Sequence, residues 1–250
     1  MNTSSNDTNT QYQSALGVQT FLMILLAVSA GSLMATLILP GWLPNLSASL
    51  TGNDPKAFWY LSRSTAFVAL SLMWLSMALG LAITNKMSRF WPGAPAAFAI
   101  HEFVSLLGLG FALFHALILL GDHYIQFSLA KILLPFSTTN FKPLMVGLGQ
   151  LGFYAWLLLA LSFYIRPKIG QKTWRALHYA SFICYGLALY HSISTGTDTR
   201  LPWVQQYYWL SGAALLFLLI YRIIHTLSGG FKNTPARPQP AQTNTTTGNS

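Results

Sequence analysis

Of 250 residues, 53% are hydrophobic and 8% charged, where a soluble domain carries about 25% charged residues, so the composition excludes an ordinary soluble enzyme and makes the bilayer the solvent for most of the chain. The formal charge of +9 is not a nucleic-acid footprint, because the basic residues cluster in short loops between apolar runs, as membrane topology requires. The single cysteine, Cys184, excludes an intrachain disulfide and a cysteine-based metal site.

Taken in order, residues 1–16 are polar, lack Lys and Arg, and read as a disordered N-terminal tail. The long apolar run that follows, without positive charges before it, argues against a cleaved signal peptide. Residues 17–228 read as one all-α domain, a polytopic membrane bundle of six transmembrane helices at about 19–40, 58–84, 98–121, 144–166, 174–195 and 207–227. Each run meets the roughly 20 residues that a hydrocarbon core of about 30 Å demands. Aromatic residues mark the interfaces at Phe58-Trp59-Tyr60, Trp91, Trp174 and Tyr207-Tyr208-Trp209. The stretch 125–136, IQFSLAKILLPF, is apolar but short and reads as an interfacial helix lying on the membrane. Residues 229–250 are rich in Pro, Thr, Asn and Gln and read as a disordered C-terminal tail. The sequence contains no P-loop pattern.

Six spans put both termini on one side, with Lys86, Arg89, Arg166, Lys168, Lys172, Arg175, Arg222, Lys232 and Arg237, against Lys56, Arg63, Lys131, Lys142 and Arg200 on the other. Nine cations against five place both termini in the cytoplasm, as expected for a multi-pass protein of a bacterial inner membrane.

Two spans carry paired histidines. The third has His101 and His115, and the fifth has His178 and His191, at spacings of 14 and 13 residues. Neutral imidazole is an axial ligand for haem iron, so four imidazoles on two helices offer sites for two haems, one above the other. Both spans run from the cytoplasm outward, which puts His101 and His178 near the inner face and His115 and His191 nearer the outer face. At 1.5 Å per residue the two levels lie roughly 20 Å apart. The azimuths agree less well. Fourteen steps return to within about 40° of the starting face, whereas thirteen miss by about 140°, so span five needs a change of winding, a tilt, or ligands approached from different sides. Gly108, Gly110 and Gly186 lie between the histidines, where glycine lets a flat macrocycle approach the backbone or simply lets helices pack closely. Phe111, Phe114, Phe182 and Tyr185 line the path between levels or serve as packing. His123 and His225 read as interfacial residues at span ends.

With these residues in view, the chain resembles the ferric-reductase-like transmembrane domain shared by NADPH oxidases, ferric reductases and the haem-bearing membrane subunit of a bacterial methionine sulfoxide reductase system. The resemblance covers about 58–225 and is carried by WYLSRSTAFVALSLMWLSMALGL at 59–81, HEFVSLLGLGFALFH at 101–115 and IGQKTWRALHYASFICYGLALYHSISTGTDT at 169–199. It implies two b-type haems, one held by His101 with His178 and one by His115 with His191. It also implies a b-type cytochrome subunit that carries electrons across the membrane to an outer acceptor. FAD or FMN and NAD(P)H belong on a partner, a flavin-containing reductase, because the sequence shows no such domain; a quinol is the other candidate donor. The chain departs from the oxidases at Leu119, where they carry a further histidine, and agrees with them at Arg63, near the outer end of span two. Haem propionates need cationic partners, for which Arg175, Lys86 and Arg89 are candidates at the inner haem and Arg63 and Arg200 at the outer. Glu102 beside His101 is either an interfacial residue or part of a proton or donor site. The loop GTDTR at 196–200, with Asp122 and His123, is either an acceptor-docking surface or an ordinary polar loop. The competing class is a haem-free membrane protein, an assembly subunit or small transporter, using the histidines as interhelical hydrogen bonds or proton carriers.

Overall fold

The structure, a computed structural model, describes residues 17–42, 57–85, 87, 93–122, 125–139 and 141–228. Both tails, Lys56, Lys86, Arg89, Trp91, His123, Lys232 and Arg237 lie outside the described residues. Among the described residues every regular element is a helix. They run α1 (Val18–Trp42), α2 (Ala57–Thr84), α3 (Ala94–Leu117) with a 3₁₀ turn at Ile118–Gly121, α4 (Leu129–Leu133), α5 (Pro143–Ile169), α6 (Gln171–His178), α7 (Ala180–Thr195) and α8 (Pro202–Leu227).

Five of these, α1, α2, α3 with its 3₁₀ turn, α5 and α8, are long and apolar enough to cross a membrane. Their outward faces carry large exposed apolar side chains, among them Leu26, Leu37, Leu158, Trp209 and Phe217. A protein surrounded by water rarely shows so much contiguous apolar surface; lipid is the solvent that suits it. The chain is an integral, multi-pass membrane protein.

The sixth expected span, 174–195, is not one helix. It is broken at Tyr179 into α6, of 8 residues, and α7, of 16 residues. At the break the Tyr179 N–H donates to Arg175 at 3.3 Å, and the Phe182 N–H bonds only three residues back, to Tyr179, at 3.2 Å. A 3₁₀-type step winds at about 3.0 residues per turn. It therefore turns the chain further per residue, the direction needed to reduce the azimuthal mismatch between His178 and His191.

The helices pack in two pairs. α2 lies along α3, and α7 lies along α5, with α8 closing against α2 and α1 against α3. The histidine-bearing helices α3 and α7 do not pack closely on one another. The main core joins α2, α7 and α8 through Leu70, Met73, Leu81, Cys184, Tyr185, Val204, Tyr208 and Leu215. Near the other end of α2, Phe58 packs on Ile118, and a Cβ on Gly121 would stand 2.7 Å from the Phe58 ring, so this crossing needs glycine.

The apolar 125–136 stretch does not simply rest on the membrane. Only Leu129–Leu133 is helical, capped by the Ser128 hydroxyl, which accepts from the Lys131 N–H. The Gln150 amide of α5 donates to the carbonyls of Lys131 and Ile132, at 2.8 and 2.7 Å, and the Tyr154 hydroxyl donates to that of Leu133. These two α5 side chains give the backbone carbonyls of this short helix their partners. Ile132 is thereby buried against Leu117 and Leu119.

Candidate functional site: two facing histidine pairs

The structure brings the four histidines together as two pairs. The rings of His101 and His178 have centres 6.2 Å apart at an interplanar angle of 73°. Those of His115 and His191 are 6.4 Å apart at 75°. These separations lie within the range of about 4.5–7 Å for edge-to-face ring pairs, and they also have a second geometric reading. An imidazole nitrogen lies about 1.1 Å from its ring centre and a metal–imidazole bond is about 2.0–2.1 Å. Two rings facing across one metal ion therefore have centres about 6.2–6.4 Å apart.

Each ring is oriented by its neighbours. α2 runs antiparallel to α3 and offers a serine at each level, Ser62 and Ser76, spaced 14 residues apart as are His115 and His101. His115 Nδ1–H donates to the Ser62 carbonyl at 2.8 Å, and His101 Nδ1–H to the Ser76 carbonyl at 2.9 Å. The Ser62 hydroxyl donates to the His115 carbonyl at 2.9 Å. The Ser76 hydroxyl pairs with Ser105 at 2.6 Å, and Ser105 donates to the His101 carbonyl at 2.6 Å. On the opposite side, His191 Nδ1–H donates to the Met145 carbonyl in the first turn of α5, at 2.8 Å. With Nδ1 committed to a carbonyl, Nε2 is left as the lone-pair nitrogen, the tautomer a metal ligand requires.

His178 is the exception. Among the described residues its Nδ1 has no hydrogen-bond partner, and its ring instead stacks on Trp174, 4.9 Å centre to centre and 25° from parallel. The Arg166 guanidinium lies 5.5 Å from the Trp174 ring centre and 4.5 Å from that of Phe163.

Close approach at the His115–His191 level depends on a glycine other than the three named from the sequence. A Cβ on Gly149 of α5 would overlap the His191 ring, and one on Gly80 of α2 would meet the His101 ring at 3.5 Å. Gly108 instead accommodates Trp156, Gly110 faces Val28 of α1, and Gly186 has open space around it. Phe182 and Tyr185 belong to the main core, and Phe114 packs against the Phe58–Ile118 contact.

A cavity of about 220 Å³ reaches the His115–His191 level, bordered by Ser62, Arg63, Gly149 and Trp156. Arg63 at its edge pairs with Asp198 of the 196–200 loop and lies 5.6 Å from the Tyr60 ring centre. Arg175 is exposed on α6, one turn before His178. Arg200 and Lys142 line a separate surface recess. Asp122 is buried, 3% exposed, and accepts from the Ile125 N–H at 2.7 Å, so it shapes a turn rather than a docking surface. Leu119 is buried beside Leu117, and Cys184 is buried with its thiol on the Gly152 carbonyl at 3.0 Å.

Among the described residues no group of three or more His, Cys, Asp or Glu gathers.

Ser62, Ser76, Gly149, Met145 and the stacking role of Trp174 are absent from the sequence reading. The 14-residue repeat of Ser62 and Ser76 was the one signal in the sequence that pointed to any of them. Compared with known protein families, curated proteins and solved structures, the chain matches none.

Proposed function

We propose that the chain is a membrane cytochrome subunit holding two b-type haems between α3 and the α6–α7 segment, His101 with His178 and His115 with His191. The observation that carries the reading is the separation within the pairs, 6.2 and 6.4 Å, together with carbonyl-directed Nδ1 atoms on three of the four rings. The resemblance to ferric-reductase-like membrane domains agrees with this on the motifs already quoted.

In this reading α6 and α7 together make the sixth crossing. Residues 171–195 would span about 37 Å as continuous helix, enough for the core of about 30 Å. The excess of basic residues on the side of both termini favours cytoplasmic termini in a bacterial inner membrane. His101 and His178 then form the inner level and His115 and His191 the outer.

When bound, the haems would supply one-electron iron chemistry, with His101 and His178 holding one and His115 and His191 the other. The protein carries the imidazoles on three helices, α3, α6 and α7, and orients three of them through backbone carbonyls. It places Arg63 at the edge of the outer cavity, where a cation would balance propionate charge. In this role the chain would connect a cytoplasmic flavin reductase or quinol donor with an acceptor outside.

The test is a dithionite-reduced minus oxidised spectrum of the purified chain, with haem counted by pyridine haemochrome, beside His101→Ala and His191→Ala. A b-type spectrum with two haems per chain, one lost in each variant, is the expected result. A chain that takes up no haem when expressed with ample supply overturns the reading in favour of a haem-free assembly or transport role.

A further inference from the structure

Past the C-terminal end of α7 lies a recess separate from the cavity at the histidines. It is lined by Lys142 and Arg200, with Ser194, Thr197 and the turn at Gly196 and Thr199. The turn is tightly specified. The Gly196 N–H donates to the Ser192 carbonyl at 3.0 Å, and the Thr199 hydroxyl reaches the Ile193 and Gly196 carbonyls at 3.0 and 2.9 Å. A Cβ on Gly196 would stand 2.6 Å from the Ser192 carbonyl oxygen. Lys142 is held in the left-handed region, at φ 38°, where glycine sits without steric cost but would bring no ammonium group. Its Nζ donates to the Ser194 carbonyl at 2.5 Å, which commits one of its three N–H donors and leaves two for a ligand.

The charge of the recess is of one sign. Asp198, the carboxylate of the turn, pairs instead with Arg63 at the edge of the other cavity, and among the described residues no acidic side chain lines the recess. Helices α5 and α8 begin beside it, at Pro143 and Pro202, neither with a side-chain cap. The positive ends of two helix dipoles therefore add to the two cations, and Ser194 and Thr197 contribute hydroxyls. This combination favours an anion with several acceptor oxygens. Position selects which anion. The recess lies at the starts of two membrane-length helices, and beside it Ile193, Leu201 and Trp203 are exposed. Exposed aromatic and aliphatic side chains at the end of a span mark the boundary between headgroups and hydrocarbon. At that depth a lipid phosphate reaches the cations while its acyl chains follow the apolar surface.

We infer that this recess binds the phosphate of an anionic phospholipid headgroup between Lys142 and Arg200, and that the lipid ties the start of α5 to the start of α8 across the end of α7. The site uses no histidine and stands whether or not the chain carries haem.

The experiment uses the full chain in a mild detergent, titrated separately with phosphatidylglycerol, phosphatidylcholine and inorganic phosphate. Binding is read by native mass spectrometry and by the thermal midpoint of tryptophan fluorescence. Phosphatidylglycerol is expected to bind and to raise the midpoint, and phosphatidylcholine, with similar chains and no net charge, to bind more weakly. Lys142→Gln/Arg200→Gln should weaken phosphatidylglycerol binding by about 30-fold, as the loss of two basic residues at a membrane surface implies. Lys168→Gln/Lys172→Gln removes the same charge at the other end of α5 and on α6 and should leave binding unchanged. Arg200→Gln alone, at an exposed side chain, should weaken binding by about 5-fold, and Arg200→Lys should restore it; this pair reads the site should the double variant not fold. Equal weakening by the two double variants, equal binding of phosphatidylcholine, or unchanged binding in Arg200→Gln overturns the inference. Inorganic phosphate that binds as tightly as the lipid, and is lost in the same variants, overturns the lipid assignment in favour of a soluble anion. None of these outcomes bears on the haem count, which tests the haem reading separately.

Discussion

The two histidine levels share a helix and a spacing, yet one is clamped from both sides and the other from one. His115 and His101 are separated by 14 residues on α3, and each meets a serine carbonyl of α2. The difference arises across the gap. His191 sits within the regular helix α7, which lies against α5 and finds the Met145 carbonyl. His178 sits at the end of a short helix, ahead of a break, and finds an aromatic face. Identical residue types at matched depth thus acquire different mechanical support. The lesson is that a ligand's quality is set by the element that carries it as much as by its identity.

The sharpest way to break the comparison is at Gly149. A leucine there would occupy the space of the His191 ring, so Gly149→Leu should abolish binding at the His115–His191 level and leave the other intact. Haem count would fall from two to one per chain by pyridine haemochrome. Retention of both haems would show that the α5 backbone does not confine His191.

A smaller effect is expected at Arg63. Its guanidinium borders the cavity and pairs with Asp198. Arg63→Gln removes a positive charge near one level only. In a potentiometric titration followed optically, the haem at that level should shift to lower potential while the other stays unmoved; a tenfold change in the equilibrium corresponds to about 59 mV for one electron. Equal shifts of both haems would mean that Arg63 acts on the bundle as a whole. Because the pair is partly exposed, its loss should cost the fold at most about 1 kcal/mol.

The smallest effects belong to the serines. Ser62→Ala and Ser76→Ala each leave the backbone carbonyl that accepts from Nδ1 and remove only the hydroxyl bonds. Each should lower the stability of haem retention by about 1 kcal/mol, measured as a shift in the thermal midpoint of the haem absorbance. If the serine carbonyls position the rings as described, neither variant loses haem at room temperature. Complete loss in either would shift the orienting role from backbone to hydroxyl.

Much of this arrangement was legible in the chain. The apolar runs gave the all-helical membrane architecture, because a chain with so few charges has no other solvent in which to fold. The histidine spacings pointed to two levels, and the 13-residue interval in span five called for a change of winding, a tilt, or ligands approached from different sides. The structure has one at Tyr179, and it also divides the expected sixth span into α6 and α7. The glycines were harder to place. Gly108, Gly110 and Gly186 stood between the histidines in sequence but answer to Trp156, to Val28 and to open space, while Gly149 and Gly80 approach the rings from other helices. Linear proximity cannot report which residues of a neighbouring helix come within contact distance.

What the sequence determined by itself is what depends on local order: length and hydropathy of the runs, the depth of each histidine along its helix, and the turn residues between runs. What only the tertiary structure decided is which atom meets each imidazole. The Ser62, Ser76 and Met145 acceptors are backbone carbonyls, which every residue type possesses, so no choice of side chain announces them. Whether a carbonyl falls opposite a ring nitrogen is fixed by the register of one helix against another. That register is set by the summed packing of many side chains, and it supplied an acceptor for three histidines and an aromatic face for the fourth.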